Sequence, residues 1–168
     1  MVPEDGRKIN ELIVAAAELQ ELLESRDWQF CFIGGLAVQA WSEPRYTRDV
    51  DLTLLTGFGG EEEFIDVLLA NYEARVDDPK TFALTNRVLL IRDQRGIGID
   101  VALGALPFEE SAVQRSSEVE VYPEVMLRLC SPEDLVMMKA FAGREQDWMD
   151  VRMTIVRCGQ FAACGRYG

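Results

Sequence analysis

A chain of 168 residues with 48% hydrophobic content, three Trp and eight Phe buries a sizeable core and fits one domain with a small appendage. Its net charge of −12 excludes a broad, non-specific grip on nucleic acid, which needs a basic surface, but leaves room for a local basic pocket. There is no histidine, so Ser-His-Asp and Cys-His catalysis, His-ligated zinc and imidazole acid–base chemistry are excluded together.

Any reaction must therefore run on carboxylates, Lys, Arg and metal. No apolar run approaches the roughly 20 residues of a membrane span. The N-terminal "MVPEDGRKINELIV" is acidic and polar where a signal peptide would be apolar. The expectation is a cytoplasmic protein with no membrane partner. Cys31, Cys130, Cys158 and Cys164 form no Cys-x-x-Cys pair, and Cys31 and Cys130 read as reduced core residues.

Along the chain, Ile9, Leu12, Ile13, Ala16, Leu19 and Leu23 recur at helical spacing and predict a helix over 8–25. "QFCFI" (29–33) reads as a short buried strand ending at Gly34-Gly35, and "LAVQAW" as the helix that follows. Pro44 breaks that helix and leaves "SEPRYTR" as a loop. "DVDLTLLT" is a strand closed by the turn "GFGG". A helix is expected over 61–70 and a short strand over 71–76. "RVLLIRDQRGIGIDVALG" carries the clearest hairpin signal.

A Pro-started helical turn is expected near 107–113, followed by the strands "EVEVY" and "VMLRLC". Ser131-Pro132-Glu133-Asp134 marks a helix start, and that helix ends at Gly143. A last helix runs from near Glu145 to about Cys158, and the tail "GQFAACGRYG" has no period. The order predicts a mixed α and β (α+β) fold with an antiparallel element.

Side chains of a strand alternate faces, so Val50, Leu52 and Leu54 take one side of 49–55 and Asp49, Asp51 and Thr53 the other. The apolar set seeks the core. The two acids then share the opposite face with Cα atoms roughly 6.6 Å apart, a spacing at which they repel unless a cation lies between them. Mg²⁺ takes oxygen ligands and keeps positions open for water and phosphate. In "GIGIDVALG", Asp100 stands on a face otherwise made of Gly98, Ala102 and Gly104, which leaves space for something to approach. If its strand lies beside that of Asp49 and Asp51, the three acids form one cluster. Taken alone, an Asp-x-Asp at a strand entrance is often a solvated turn. Its weight here comes from the third acid, the upstream Gly-Gly and the missing histidine.

With "FIGG" (32–35), "DVD" (49–51) and "IDV" (99–101) in place, the chain resembles the nucleotidyltransferase (polymerase-β-like) fold. "MKAFAGREQDWMDV" (138–151) is similar to the helical motifs of its AbiEii-like members, associated with toxin–antitoxin and phage-defence systems. The resemblance covers roughly residues 28–157. It implies a mixed sheet flanked by helices, with a catalytic domain over 1–125 and a C-terminal helical segment over 126–168. It also implies transfer of an NMP group from an NTP to a hydroxyl of a tRNA, a protein or a small molecule, alongside a cognate toxin or antitoxin.

By the same resemblance, Asp49 and Asp51 would ligate two Mg²⁺ ions. Asp100 would complete one metal site and help deprotonate the acceptor. Gly34 and Gly35 would admit the triphosphate at a helix N-terminus. Lys139 would reach the phosphates, and Asp147 would orient that lysine or the nucleotide. Arg45, Thr47 and Arg48 lie where a cation or hydroxyl would steady phosphate oxygens. Two departures stand out: Leu36 follows the glycines where a small polar residue is usual, and the family's C-terminal helical part is expected to be longer than this one.

Two other readings remain. The same fold without catalysis would be a protein-binding module. An aspartate-nucleophile phosphatase would read "DVDLT" as its motif, but there an apolar strand precedes the first Asp, and here polar "SEPRYTR" does. "GFGG" lacks the Lys and Ser/Thr of a phosphate-binding loop.

Overall fold

The computed structural model describes residues 4–42 and 47–163, with the backbone alone for 4–10 and 160–163. Among the described residues, seven helices and seven strands follow in the order α1 (Glu4–Glu24), β1 (Phe30–Ile33), α2 (Gly34–Trp41), β2 (Asp49–Leu55), α3 (Glu61–Asn71), β3 (Glu73–Ala74), α4 (Pro79–Asn86), β4 (Val88–Arg92), β5 (Gly98–Gly104), α5 (Pro107–Gln114), β6 (Ser117–Tyr122), β7 (Val125–Leu129), α6 (Pro132–Ala142) and α7 (Glu145–Ala163). The strands form one mixed sheet, β3-β4-β5-β2-β1-β7-β6. β2 pairs parallel with β5, and β1 parallel with β7, while the other four pairings are antiparallel.

The alternation read from the sequence is what sorts the two faces. Val50, Leu52 and Leu54 of β2, Ile99, Val101 and Leu103 of β5, and Leu89 and Ile91 of β4 point into one core. Leu12, Leu19 and Leu23 of α1 and Ile65 and Leu68 of α3 cover it. Each such fully buried side chain contributes about 1.5–3 kcal/mol of burial. A second, smaller core joins Cys31, Val38, Val113, Cys130 and Leu135. Slipping β2 by one residue would drive its acids into the larger core, so burial fixes the register.

Three expectations need correction, and one helix was not expected; the strand over 71–76 is only Glu73–Ala74. α4 is a helix that the apolar pattern does not announce, because Ala83 is its one buried residue; its start is nonetheless written in Asp78, which accepts from the Thr81 N–H (3.3 Å), and in Pro79 at its first position. The last helix does not stop near Cys158 but continues through Gly159 to Ala163. The first begins at Glu4 rather than residue 8. Arg45 and Cys164, with most of the "SEPRYTR" loop, lie outside the described residues.

Candidate active site

β1 ends at Ile33, and the chain turns at once into α2 through Gly34, whose φ of +58° belongs to the left-handed region that suits glycine. Glycine is needed there for a second reason. A methyl on Gly34 would strike Asp51, whose Cβ and Cγ lie 2.8 Å from its ideal position. At Gly35 the obstacle would be Thr47, with its Cβ 2.9 Å away. The glycine pair thus brings the start of α2 directly onto the acidic strand, and the Gly35 N–H donates to the Asp51 carboxylate.

The parallel pairing of β2 and β5 sets Asp51 opposite Asp100 and Asp49 opposite Gly98. Neighbouring strands lie about 4.8 Å apart, so the acids share one patch of the sheet face. The β4–β5 hairpin fixes β5 in turn: Asp93 accepts from the Arg95 and Ile97 N–H groups (2.9 Å each), and Arg95 ties this turn to Glu18 of α1. Burial, reinforced by Asp100 and Asp49, pushes the Asp51 carboxyl up to about 6, against the opposing pull of the Gly35 N–H and Lys139. Burial and the neighbouring acids thus both disfavour the charged form of Asp51.

Opposite this patch stand α6 and α7. Ser131 caps α6, accepting from the Asp134 N–H (3.1 Å), and Arg115 of the segment after α5 grips the buried Asp134. The helix ends at Gly143 in the left-handed conformation. Its last turn carries Lys139, whose Nζ lies 3.0 Å from Asp147 Oδ1 and 3.1 Å from Asp150 Oδ2. Arg144 adds a bond from Nε to Asp147 Oδ2 (2.7 Å). Burial alone would raise the Asp147 carboxyl, but the hydrogen bonds from Arg144 and Lys139 outweigh it and hold it below the usual range.

Together these elements enclose a cleft of about 610 Å³, within the range of small-molecule sites. Gly34, Gly35, Thr47, Arg48, Asp49, Asp51, Asp100, Lys139 and Asp147 all line it. Every described residue singled out from the sequence therefore reaches one cavity; Arg45 is the exception that lies outside the described residues. Sequence reasoning gave no role to Arg144 and Gln146, which also line the cavity, nor to Asp150 and Arg75, which bond to its lining residues, although Arg144 and Asp150 fall within the 138–151 motif. Asp150 had a readable signal, since it follows Asp147 by three and so shares its helix face. Arg75 had none: it follows the two-residue strand β3 and extends its Nη1 to within 2.5 Å of Asp100 Oδ1.

Among the described residues, no three His, Cys, Asp or Glu side chains are arranged to hold one metal ion. The donor chemistry nevertheless suits a hard divalent cation: carboxylate oxygens from neighbouring strands, one of them, Asp51, raised by burial and by Asp100 and Asp49, and glycines that leave the approach open.

No helix of the described residues is long and apolar enough to cross a membrane. A comparison with the curated proteins finds no match. Among solved structures, the chain is similar to the lincosamide antibiotic adenylyltransferase LnuA, with 14% identity over 82% of this chain and 92% of that one and a TM-score of 0.55. It is also similar to the antibiotic-resistance factor ANT(2'')-Ia, with 15% identity, 89% and 84% coverage and a TM-score of 0.58. An antigenic nucleotidyltransferase-like protein from Paracoccidioides brasiliensis gives 17% identity, 87% and 74% coverage and a TM-score of 0.57. At these identities the likeness establishes a shared fold. Residues 19–158 match the family described as "Nucleotidyl transferase AbiEii toxin, Type IV TA system". The chain belongs to the AbiEii nucleotidyltransferase family, and it is a nucleotidyltransferase.

Proposed function

We propose that the protein moves an NMP group from an NTP to a hydroxyl acceptor in a reaction that depends on Mg²⁺. The observation that carries this reading is the register that sets Asp51 opposite Asp100, in a cleft whose far wall is Lys139. Asp49 and Asp51, with Asp100, would hold up to two Mg²⁺ ions. Bound there, the metal supplies charge neutralisation to the triphosphate and polarises its phosphoryl oxygens.

The chain's own groups divide the remaining work. The Gly34-Gly35 turn brings the N-terminus of α2 to the cleft, where N–H groups other than that of Gly35, which Asp51 accepts, would meet phosphate oxygens with Thr47 and Arg48 beside them. Lys139 places a positive charge across the cleft, and Asp147 fixes its direction. Asp100 takes the proton of the acceptor hydroxyl as its oxygen attacks the α-phosphorus in line. The bond from that phosphorus to the β-phosphate oxygen breaks, and pyrophosphate leaves with its electron pair.

The acceptor is a tRNA, a protein or a small molecule, met in the cytoplasm. The two antibiotic-modifying neighbours favour the small molecule, while the family description favours a role in a toxin–antitoxin pair with a cognate partner. Incubating the protein with labelled NTPs, Mg²⁺ and candidate acceptors, with Asp49→Ala alongside, tests the reading. Label transfer by the wild type should fall at least about a hundredfold in the variant. Equal labelling by both would end the proposal. A wild type that transfers nothing, and is not stabilised by any NTP with Mg²⁺, would favour the silent binding module.

A further inference from the structure

Arg75 belongs to no motif, yet its guanidinium lies inside the acidic face. Its backbone N–H donates to the Leu90 carbonyl (3.0 Å), which extends the β3–β4 ladder by one residue. Leu90 is the cross-strand partner of Asp100, and Asp100 of Asp51. Arg75, Leu90, Asp100 and Asp51 thus form one row across four neighbouring segments, with side chains on one face. From the end of that row the Arg75 side chain passes over Leu90 to Asp100 Oδ1. It also comes close to Asp49: a methyl on Gly98 would lie 3.0 Å from Asp49 Cγ and 3.1 Å from Arg75 Nη1, so both groups border the same small gap. Arg92, the next cation along this edge, is committed to Glu73 through two bonds of 3.0 and 2.5 Å.

We propose that Arg75 is a positioning residue that holds the Asp100 carboxylate in the place of a cation, so that a divalent ion gains Asp100 as a ligand only by displacing the guanidinium. The inference rests on the reading that Asp49, Asp51 and Asp100 bind such an ion. Both partners are about one-third exposed (31% and 35%), which makes the pair exchangeable rather than locked. In the absence of nucleotide the cleft then binds the ion through Asp49 and Asp51 with Asp100 withheld. A bound triphosphate adds the negative charge that tips the competition toward the ion. A purely structural Arg75 would instead brace the short β3 edge and leave ion affinity alone.

Mn²⁺ titration, followed by the paramagnetic resonance of the free ion with and without NTP, separates these roles. Arg75→Met keeps the aliphatic stem over Leu90 and removes the charge. It should tighten nucleotide-free Mn²⁺ binding about three- to tenfold. Arg75→Lys should restore the wild-type affinity. Asp100→Asn should change little in the wild-type background and abolish the gain in the Arg75→Met background, a coupling that a brace would not produce. If the wild type binds Mn²⁺ with NTP but Arg75→Met binds it no more tightly without nucleotide, the Arg75 inference is overturned and the site reading stands. If no variant binds Mn²⁺ even with NTP, both are overturned. Should Arg75→Met fail to fold, Arg75→Gln removes the same charge and carries the same expected result.

Discussion

The two walls of the cleft both carry buried or half-buried carboxylates, and they hold them in opposite electrostatic states. On the sheet wall Asp51 is pushed up to about 6 by burial and by two neighbouring acids. On the helical wall Asp147 is more deeply buried, yet its carboxyl is held below the usual range, because Lys139 and Arg144 both bond to it. Burial is common to the two; the cations decide the outcome. A carboxylate that is buried and compensated stabilises its surroundings, whereas one that is buried among like charges costs stability and stays ready for a cation. The two walls therefore differ in how their deepest acid is treated: Asp51 lies among acids, while Asp147 is bonded by Lys139 and Arg144.

The largest test of this contrast is to unbalance the helical wall. Lys139 is 11% exposed and lies between Asp147 and Asp150, so Lys139→Ala leaves two buried acids with one fewer cation. Removing one partner of a buried pair costs about 3–5 kcal/mol. Urea unfolding at pH 7 should show a loss of this order. The loss should shrink below pH 4. The stability that the depressed Asp147 contributes is present above its ordinary value of 3.8 and fades as falling pH protonates it in the folded chain. A loss under about 1 kcal/mol would mean that Lys139 is a bystander on this wall.

The sequence alone made one wall more legible than the other. Asp49 and Asp51 could be placed on one face of their strand, and Asp100 on one face of its own, because strand alternation is strict, and the hairpin signal around Arg92 to Gly98 placed the third acid's strand. What the alternation could not say was the order of strands: the parallel pairing of β2 with β5 depends on a crossover through α3, β3, α4 and β4, which no local pattern encodes. Lys139 and Asp147 were legible through their motif, with Gly143 as the break between their helices. The reach of Arg75 was invisible, since a long side chain crossing from an edge strand leaves no periodic trace. α4 went unread for a different reason: it buries little, so its capping residues were its one signal.

A middle-sized effect should come from relieving the sheet wall. In the folded chain Asp51 keeps its proton up to about pH 6, whereas an unfolded aspartate releases it near 3.8. Between those values the folded state binds more protons. Stability therefore falls as pH rises from about 4 to 6, and the penalty is complete above that. Asp51→Asn has nearly the same shape, can still accept from the Gly35 N–H, and carries no charge. With chelator present it should gain up to about 3 kcal/mol at pH 7–8 and nothing at pH 4. A variant that is less stable than the wild type at pH 8 would show that the acids on this wall are already balanced.

The smallest effect separates the two cations of the helical wall from one another. Arg144 donates to the same carboxylate as Lys139, but its side chain is 77% exposed. Water competes for its guanidinium, and its backbone N–H, which also reaches Asp147 Oδ2 (3.3 Å), survives truncation. Arg144→Ala should therefore cost only about 0.2–1 kcal/mol in urea unfolding. Salt distinguishes the mechanisms as well as the magnitudes. At 1 M NaCl the screening length falls to about 3 Å, so the Arg144 contribution should vanish while the Lys139 contribution, shielded from ions by burial, largely persists. Equal losses for the two variants, or equal sensitivity to salt, would mean that burial does not rank the cations of this wall, and the contrast with the sheet wall would then rest on charge count alone.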